Sequence, residues 1–254
     1  MYDTDTLSGN GHAENASLKR LRGKLSDGPV SRYLNRPLSV RLSRQFAKFP
    51  ITPNQISTLS FVLCLLAAWL LATGKYMTLA LGGLLAQFAS VIDGCDGEIA
   101  RLKSQESDFG GWFDAVLDRY ADAFLLFGLT WHAYSTIGAM PDRIATLVGS
   151  SAAAVVLIVG FLAIIGSFMI SYTADKYDGL MKSRFSKGNN IRIGRDTRIF
   201  LILLGTVANL PFATLLLLAI VMNVETIRRV FVSYVDESHS LERMPGKPRI
   251  LEFP

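Results

Sequence analysis

The sequence predicts an all-α integral membrane protein, a bundle of six transmembrane helices with an interfacial amphipathic helix at its N-terminal end. Half of the 254 residues are hydrophobic and the mean hydropathy is +0.32, which is too apolar for an ordinary soluble domain of this length. Two stretches, 51–73 and 149–170, contain no charged residue. Each exceeds or matches the ~20 apolar residues that a helix needs to cross a bilayer.

The remaining spans follow from weaker apolar segments. The second span is predicted at about 76–92, and the third begins as a charged helix at Gly110 and becomes apolar over 123–134. The last apolar block, 199–224, is interrupted by Asn209-Leu210-Pro211. Because proline cannot continue a helix, this block is predicted to be a hairpin of two helices. The predicted order is a disordered polar tail at 1–29, an interfacial helix at 30–49, the six-helix membrane domain at 50–233 and a cytoplasmic tail at 234–254.

The distribution of basic residues predicts the orientation in the membrane. Of the 26 Lys and Arg residues, Lys75 and Arg143 alone fall in connections on one side. By the positive-inside rule, both termini and the segment 93–118 face the cytoplasm of a multi-pass plasma-membrane protein. The net charge of +5 favours anionic membrane lipids as partners. No nucleic-acid recognition motif is present, so nucleic acid is not an expected partner.

The segment 30–49 has an amphipathic helical pattern. Its apolar residues recur at steps of three or four, at Val30, Leu34, Leu38, Leu42, Phe46 and Phe49. A basic stripe of Arg41, Arg44 and Lys48 runs beside them. We expect a helix, regular only after Pro37, that lies in the cytoplasmic interface with its apolar side in lipid. The alternative is a helix packed on a partner domain.

An acidic pattern lies where a membrane would otherwise disfavour charge. Residues 93–101 spell Asp-x-x-Asp-Gly-x-x-Ala-Arg, and 110–118 spell Gly-x-x-x-Asp-x-x-x-Asp. On helices, the pair Asp93 and Asp96 and the pair Asp114 and Asp118 each project from one face, so two facing helices can bring four carboxylates together. Clustered carboxylates need a compensating cation, and oxygen-only ligands favour hard divalent ions. The alternative is a solvated acidic helix face.

This pattern resembles the signature of the CDP-alcohol phosphotransferases. Every fixed position of that signature is filled, at Asp93, Asp96, Gly97, Ala100, Arg101, Gly110, Asp114 and Asp118. The likeness extends over about 30–233 and includes Thr52-Pro53-Asn54 at the start of the first span. It implies transfer of a phosphoalcohol group from a CDP-alcohol to an acceptor hydroxyl, with release of CMP.

The resemblance also implies roles for individual residues. Two divalent cations, Mg²⁺ or Mn²⁺, would be bound mainly by Asp93, Asp96 and Asp114. Asp118 resembles the general base of the family and is also a candidate ligand of the second metal. The CDP contacts would come from Gly97, Ala100, Arg101 and Gly110. A homodimer is the expected assembly.

A basic cluster precedes the fifth span. Arg192, Arg195 and Arg198 are spaced by three residues, close to one helical face, and Lys182, Arg184 and Lys187 come before them. Arginine is suited to bidentate phosphate binding, so the first three residues are candidates for binding an acceptor that carries phosphate. The alternative is ordinary positive-inside charge beside lipid headgroups.

Within the family, three segments resemble the membrane domain of the di-myo-inositol phosphate phosphate synthases: 26–28, 31–36 and 92–103. This branch predicts a phosphorylated polyol such as inositol phosphate as the acceptor. No cytidylyltransferase domain precedes the membrane part here, so we expect a separate enzyme to supply the CDP-alcohol. One alternative is a phospholipid synthase that uses CDP-diacylglycerol or a CDP-diether lipid. An alternative of another class is a cation-binding transport protein, since intramembrane acids also mark ion pathways.

Overall fold

The computed structural model describes residues 28–136, 152–181 and 194–242. These residues contain α-helices, one π-helical turn and no strand, which confirms the all-α prediction. The turn is Ser31–Asn35, and the helices are α1 (Arg36–Phe46), α2 (Pro53–Ala72), α3 (Tyr76–Lys103), α4 (Asp108–Ser135), α5 (Ala152–Met181), α6 (Arg195–Val207) and α7 (Pro211–Glu242). Some predictions concern residues outside these ranges: the tail at 1–27, Arg143, Lys182, Arg184, Lys187, Arg192, and the last 12 residues, 243–254.

Three of the described helices are long and apolar enough to cross a membrane. They are Pro53–Ala72, Tyr76–Lys103 and the Ala152–Ala174 part of α5. They coincide with the first, second and fourth predicted spans. The count of six spans and the interfacial position of α1 stay predictions. The predicted break near Asn209 is present, because α6 ends at Val207 and α7 begins at Pro211.

Local sequence signals fix the ends of the helices that carry the acidic pattern. At the start of α2, the Thr52 side chain accepts from the backbone N–H of Gln55 while the Gln55 side chain accepts from the Thr52 N–H, a capping box followed by Pro53. Helix α4 begins after Ser107, whose hydroxyl accepts from the Gly110 N–H at 3.0 Å. Helix α3 ends at Lys103, and the next residue, Ser104, adopts a left-handed conformation with φ of 54°. The short connection that follows makes α3 and α4 neighbours in the chain.

The helices pack closely around α2, which contacts both α3 and α4, while α6 packs on α3 and α7 packs on α5. A Cβ atom at Gly128 of α4 would overlap the backbone carbonyl of Ala68 on α2. A Cβ atom at Gly83 of α3 would likewise overlap the Thr206 side chain on α6. Small residues therefore allow the close helix contacts that are typical of membrane bundles. This packing brings α2, α3, α4 and α6 together around the acidic residues.

The N-terminal helix packs on α3 through its polar side. Ser31, Asn35, Ser39 and Ser43 recur every four residues and are buried. Leu34 and Leu38, from the predicted apolar side, are exposed. Leu42 and Phe46, from the same apolar side, are partly buried against a core cluster of Ile56, Ile92, Cys95 and Ile99. The face that contacts the bundle therefore combines a row of small polar residues, which the apolar pattern did not reveal, with the last apolar residues of that pattern.

A candidate metal and catalytic site

Helices α3 and α4 bring the acidic residues of the signature together. One oxygen each of Asp93, Asp114 and Asp118 lie within 4.8 Å of one another, close enough for a shared metal ion. Asp93 comes from α3, and the other two residues lie one turn apart on α4. The sequence spacing of three and four residues thus produces the predicted convergence. The described residues contain no other group of three potential metal ligands this close.

Asp96, the fourth acidic residue of the signature, lies beside this group and is held by α2. Its Oδ2 accepts a 2.6 Å hydrogen bond from Ser57 Oγ. Its Oδ1 accepts from the backbone N–H of Gly97. One turn earlier on α3, Asp93 Oδ1 accepts a 2.8 Å hydrogen bond from Ser60 Oγ. Two serines three residues apart on α2 therefore orient two aspartates three residues apart on α3.

Arg195, at the first position of α6, reaches into the carboxylate cluster. Its Nη1 lies 2.7 Å from Asp93 Oδ2 and 2.7 Å from Asp118 Oδ1. Its Nε lies 3.3 Å from Asp122 Oδ1. The side chain is 12% exposed. The predicted acceptor residue thus borders the acidic site directly.

Arg198 occupies a more enclosed position one turn along α6. Its Nη2 lies 2.7 Å from Asp122 Oδ2, and its Nη1 donates to the Ser167 carbonyl of α5 at 3.2 Å. It also lines a small, partly open pocket together with Asp122, Ser167 of α5 and apolar residues of α4, α6 and α7. Of the three predicted acceptor arginines, the structure therefore places Arg195 at the acidic cluster and Arg198 behind it.

A divalent cation fits this set of side chains. Asp93, Asp96, Asp114 and Asp118 supply four carboxylates, and the Arg195 guanidinium bonds to two of them, Asp93 and Asp118. In addition, Asp114 Oδ1 is buried without a hydrogen-bond partner among the described residues. A buried polar atom without a partner is costly, and carboxylate oxygens are the ligands that hard divalent cations prefer. The carboxylate charges are thus only partly balanced within the described residues, as is expected of a site that binds a metal ion.

The residues predicted to contact CDP border the same cleft. Gly97, Ala100 and Arg101 are partly buried along the last turns of α3. The Arg101 guanidinium passes over Gly97, with Nη1 3.5 Å from where a Cβ atom would be. At the start of α4, a Cβ atom on Gly110 would lie 3.3 Å from the Asn54 side chain on α2. A Cβ atom would therefore be tight against α2 at Gly110, whereas at Gly97 it would make an ordinary contact with Arg101.

Sequence reasoning missed Ser57, Ser60 and Asp122. Asp122 continues the four-residue spacing of Asp114 and Asp118 along α4, so this periodicity was a usable signal. The two serines gave no comparable signal, because serine is frequent in membrane helices for packing reasons.

Comparison with known proteins agrees with this geometry. The family model for CDP-alcohol phosphatidyltransferase matches residues 50–227. A bifunctional IPC transferase and DIPP synthase of Rubrobacter xylanophilus is 40% identical over 208 residues, which cover 81% of this chain and 42% of the relative. A protein of the same name from Aquifex aeolicus is 34% identical over 240 residues, covering 91% of this chain and 50% of the relative. The chain thus spans about half the length of these curated relatives.

A shorter relative and a solved structure match over most of their length. An archaetidylinositol phosphate synthase of Pyrococcus horikoshii is 28% identical over 194 residues, covering 75% of this chain and 88% of the relative. The crystal structure of Mycobacterium tuberculosis phosphatidylinositol phosphate synthase with CDP-DAG bound superposes with a TM-score of 0.56 at 22% identity, covering 85% of this chain and all of that one. At this identity the structural likeness shows the fold. The acidic signature, its convergence on α3 and α4, and the match over 50–227 together show that the chain belongs to the CDP-alcohol phosphatidyltransferase family.

Proposed function

We propose that this protein is an integral-membrane transferase that moves a phosphoalcohol group from a CDP-alcohol to an acceptor hydroxyl and releases CMP. The observation that carries the proposal is the convergence of Asp93, Asp114 and Asp118, with a buried Asp114 oxygen that lacks a partner. Such a site suits the binding of divalent cations beside a pyrophosphate. Transport of a cation would not by itself require the fixed Gly97, Arg101 and Gly110 positions of the signature.

The acidic residues would hold two divalent cations, Mg²⁺ or Mn²⁺. Asp93, Asp96 and Asp114 are the proposed principal ligands, and Asp118 is a further ligand of the second ion. When bound, such a pair neutralises the pyrophosphate and polarises the phosphorus under attack. Ser57 and Ser60 keep Asp96 and Asp93 in the rotamers that face the cleft, because each donates a hydrogen bond to one carboxylate oxygen.

Asp118 is the proposed general base. The acceptor hydroxyl oxygen forms a bond to the phosphorus that carries the alcohol, while the bond from that phosphorus to the bridging oxygen breaks. CMP leaves with the electron pair, and the hydroxyl proton passes to the Asp118 carboxylate. Asp118 suits this role because it lies one turn beyond Asp114 on α4, at the inner side of the cluster. Gly97, Ala100, Arg101 and Gly110 would receive the CDP part at the open end.

The proposed acceptor is a phosphorylated polyol such as inositol phosphate. Arg195 supports an anionic acceptor, because it places a buried guanidinium beside the proposed base. Arg192 and Arg198 are the further proposed acceptor residues. An archaetidylinositol phosphate synthase and a phosphatidylinositol phosphate synthase among the relatives also support an inositol phosphate acceptor, although this resemblance leaves the donor open. A CDP-diacylglycerol or CDP-diether donor is the second candidate, because this chain covers 88% of the archaetidylinositol phosphate synthase.

The experiment is a measurement of CMP release by the purified protein with Mg²⁺ or Mn²⁺. CDP-inositol, CDP-diacylglycerol, a CDP-diether lipid and CDP-glycerol are each paired with inositol 1-phosphate and with unphosphorylated inositol. We expect metal-dependent CMP release that requires the phosphorylated acceptor. No CMP from any pair would contradict the transferase proposal and favour the cation-transport alternative. Equal rates with both acceptors would contradict the anionic acceptor.

We also propose the membrane arrangement: a homodimer in the plasma membrane, with six spans per chain, α1 in the cytoplasmic interface, and both termini and the acidic site on the cytoplasmic side. The exposed Leu34 of the π-helical turn and Leu38 of α1 would face lipid. The orientation is supported by the positive-inside rule, because Lys75 and Arg143 are the only Lys or Arg residues in connections on the predicted outer side. Labelling a cysteine introduced as Lys75→Cys tests it, and labelling only from the cytoplasmic side would contradict it.

A further inference from the structure

Asp122 is a buried carboxylate that lies outside the family signature but binds two arginines of α6. It is one turn beyond Asp118 on α4 and 6% exposed. Its Oδ1 lies 3.3 Å from Arg195 Nε, and its Oδ2 lies 2.7 Å from Arg198 Nη2. We propose that Asp122 is a positioning residue that orients the Arg195 guanidinium toward the phosphate of the acceptor. This inference rests on the function proposed above.

The donors of Arg195 show which part of the side chain is available to a substrate. A guanidinium has five N–H donors in a fixed planar fork. Nη1 contacts Asp93 and Asp118, and Nε contacts Asp122. In contrast, the contact that Nη2 makes among the described residues is with the thiol of Cys64, at 3.9 Å. Since sulfur is a weak acceptor, Nη2 is the donor that an acceptor phosphate can bind without breaking a stronger contact.

Asp122 is itself held rigidly, as a positioning residue must be. Besides Arg198, its Oδ2 accepts a 2.9 Å hydrogen bond from Ser167 Oγ on α5. Both carboxylate oxygens are therefore engaged, by side chains of α5 and α6. Because the fork of Arg195 is planar, fixing Nε on one side and Nη1 on the other determines where Nη2 points.

The decisive test compares Asp122→Asn with Asp196→Asn by steady-state kinetics. Asparagine keeps the size of Asp122 but removes its charge, so we expect the Michaelis constant for inositol 1-phosphate to rise roughly tenfold, as for loss of a charge-assisted contact. The Michaelis constant for the CDP-alcohol should change less than about twofold, because metals and Arg101 bind that substrate. Asp196 neighbours Arg195 on α6, but its Oδ1 accepts from Asn35 Nδ2 and Ser90 Oγ, both at 2.8 Å. Its variant should leave the acceptor constant unchanged.

A double variant separates positioning from simple stabilisation. If Asp122 acts through Arg195, adding Asp122→Asn to Arg195→Ala should raise the acceptor constant no further. Additive effects would overturn the proposal, and so would an equal rise for donor and acceptor or the same rise in Asp196→Asn.

If Asp122→Asn does not fold, Asp122→Glu provides the test in its place. Glutamate retains the charge but displaces the carboxylate by one methylene, so the acceptor constant should rise roughly threefold, less than in Asp122→Asn. An unchanged acceptor constant in Asp122→Glu and Asp122→Asn, with normal CMP release, would overturn the role of Asp122 alone. Absence of CMP release from the unsubstituted protein would instead overturn the proposed function and this inference together.

Discussion

The carboxylates on the two sides of helix α3 differ in how well neighbouring groups balance their charge. On one side, Asp93 and Asp96 face the cleft and share it with Asp114 and Asp118, so that acidic groups outnumber the nearby cations. On the other side, Glu98 is 0% exposed and packs under α1. Its Oε1 accepts from Arg36 Nη1 at 2.9 Å and Ser39 Oγ at 2.8 Å, and its Oε2 accepts from Ser43 Oγ at 2.7 Å.

The difference teaches how a structural carboxylate can be distinguished from a functional one. Asp96 and Glu98 are two residues apart, which is roughly 200° around a helix, so they point to opposite sides. The charge of Glu98 is balanced by Arg36, both of its carboxylate oxygens accept hydrogen bonds from α1, and these contacts attach α1 to the bundle. The cleft contains a buried Asp114 oxygen without a partner among the described residues, and a bound cation would satisfy it. Unbalanced carboxylate charge, rather than burial, therefore distinguishes the side that is proposed to be functional.

The largest effect is expected from removing a proposed metal ligand on the cleft side. Asp93→Ala, Asp96→Ala and Asp114→Ala should each lower the rate of CMP release at least ~10³-fold, because the pyrophosphate charge is no longer neutralised. Binding of Mn²⁺ to the purified protein, followed by electron paramagnetic resonance, should weaken in parallel. Asp108→Ala is the matched control, since Asp108 is an exposed acid in the first turn of α4. Normal Mn²⁺ binding in all three variants would contradict the proposal that unbalanced carboxylate charge marks a metal site.

Asp118→Asn should separate the base from the metal ligands. We expect turnover to fall at least ~10²-fold, as for loss of a general base. Binding of Mn²⁺ and of the CDP-alcohol should persist, because Asp93, Asp96 and Asp114 remain. Turnover and equilibrium binding are measured on the same preparation. Near-normal turnover would remove Asp118 from the role of base, and loss of Mn²⁺ binding would mean that Asp118 is a principal metal ligand rather than the further ligand proposed above.

The sequence predicted the cleft side of α3 much better than the opposite side. The spacings of Asp93 with Asp96 and of Asp114 with Asp118 determine which residues share a helix face, and both helices pack on α2, which brings the two acidic faces together. Helical periodicity and charge were therefore enough to predict the cluster. The roles of the individual aspartates stay predictions.

The contacts of α1 could not be predicted in the same way. The apolar residues of the segment suggested its orientation, but Ser39 and Ser43 pack on α3 because a buried Glu98 needs their hydroxyl groups. Single serines and a single glutamate have no diagnostic spacing when their partners are more than 50 residues away. Contacts of this kind depend on the tertiary arrangement, which periodicity does not encode.

An intermediate effect is expected from Arg195→Ala, which tests whether the cation of the cleft binds substrate. An Arg–phosphate pair at a partly desolvated site is worth about 1.5 to 3 kcal/mol, so the Michaelis constant for inositol 1-phosphate should rise roughly ten- to hundredfold. The constant for the CDP-alcohol should change much less. Both substrates are varied in turn at saturating metal. Equal losses would indicate a structural role, and no loss would reopen the case for an uncharged acceptor.

The smallest effect on catalysis is expected from Glu98→Gln, on the side of α3 that faces α1. Removing one charge of a buried pair typically costs 3 to 5 kcal/mol, and we expect about 2 to 3 kcal/mol here because Arg36 is 20% exposed and can regain water. Thermal unfolding in detergent should shift down by several degrees. The rate of CMP release per folded molecule should stay within about twofold, since Glu98 points away from the cleft.

Ser43→Ala is the matched control, because it removes one hydrogen bond from Glu98 Oε2 without changing the charge. Its cost should be smaller, about 1 to 2 kcal/mol. A similar shift in both variants would mean that the hydroxyl contacts, rather than the ion pair, attach α1. If Glu98→Gln instead lowered turnover more than tenfold at unchanged thermal stability, a fully compensated carboxylate would be serving catalysis, and incomplete compensation would no longer distinguish the two sides of α3.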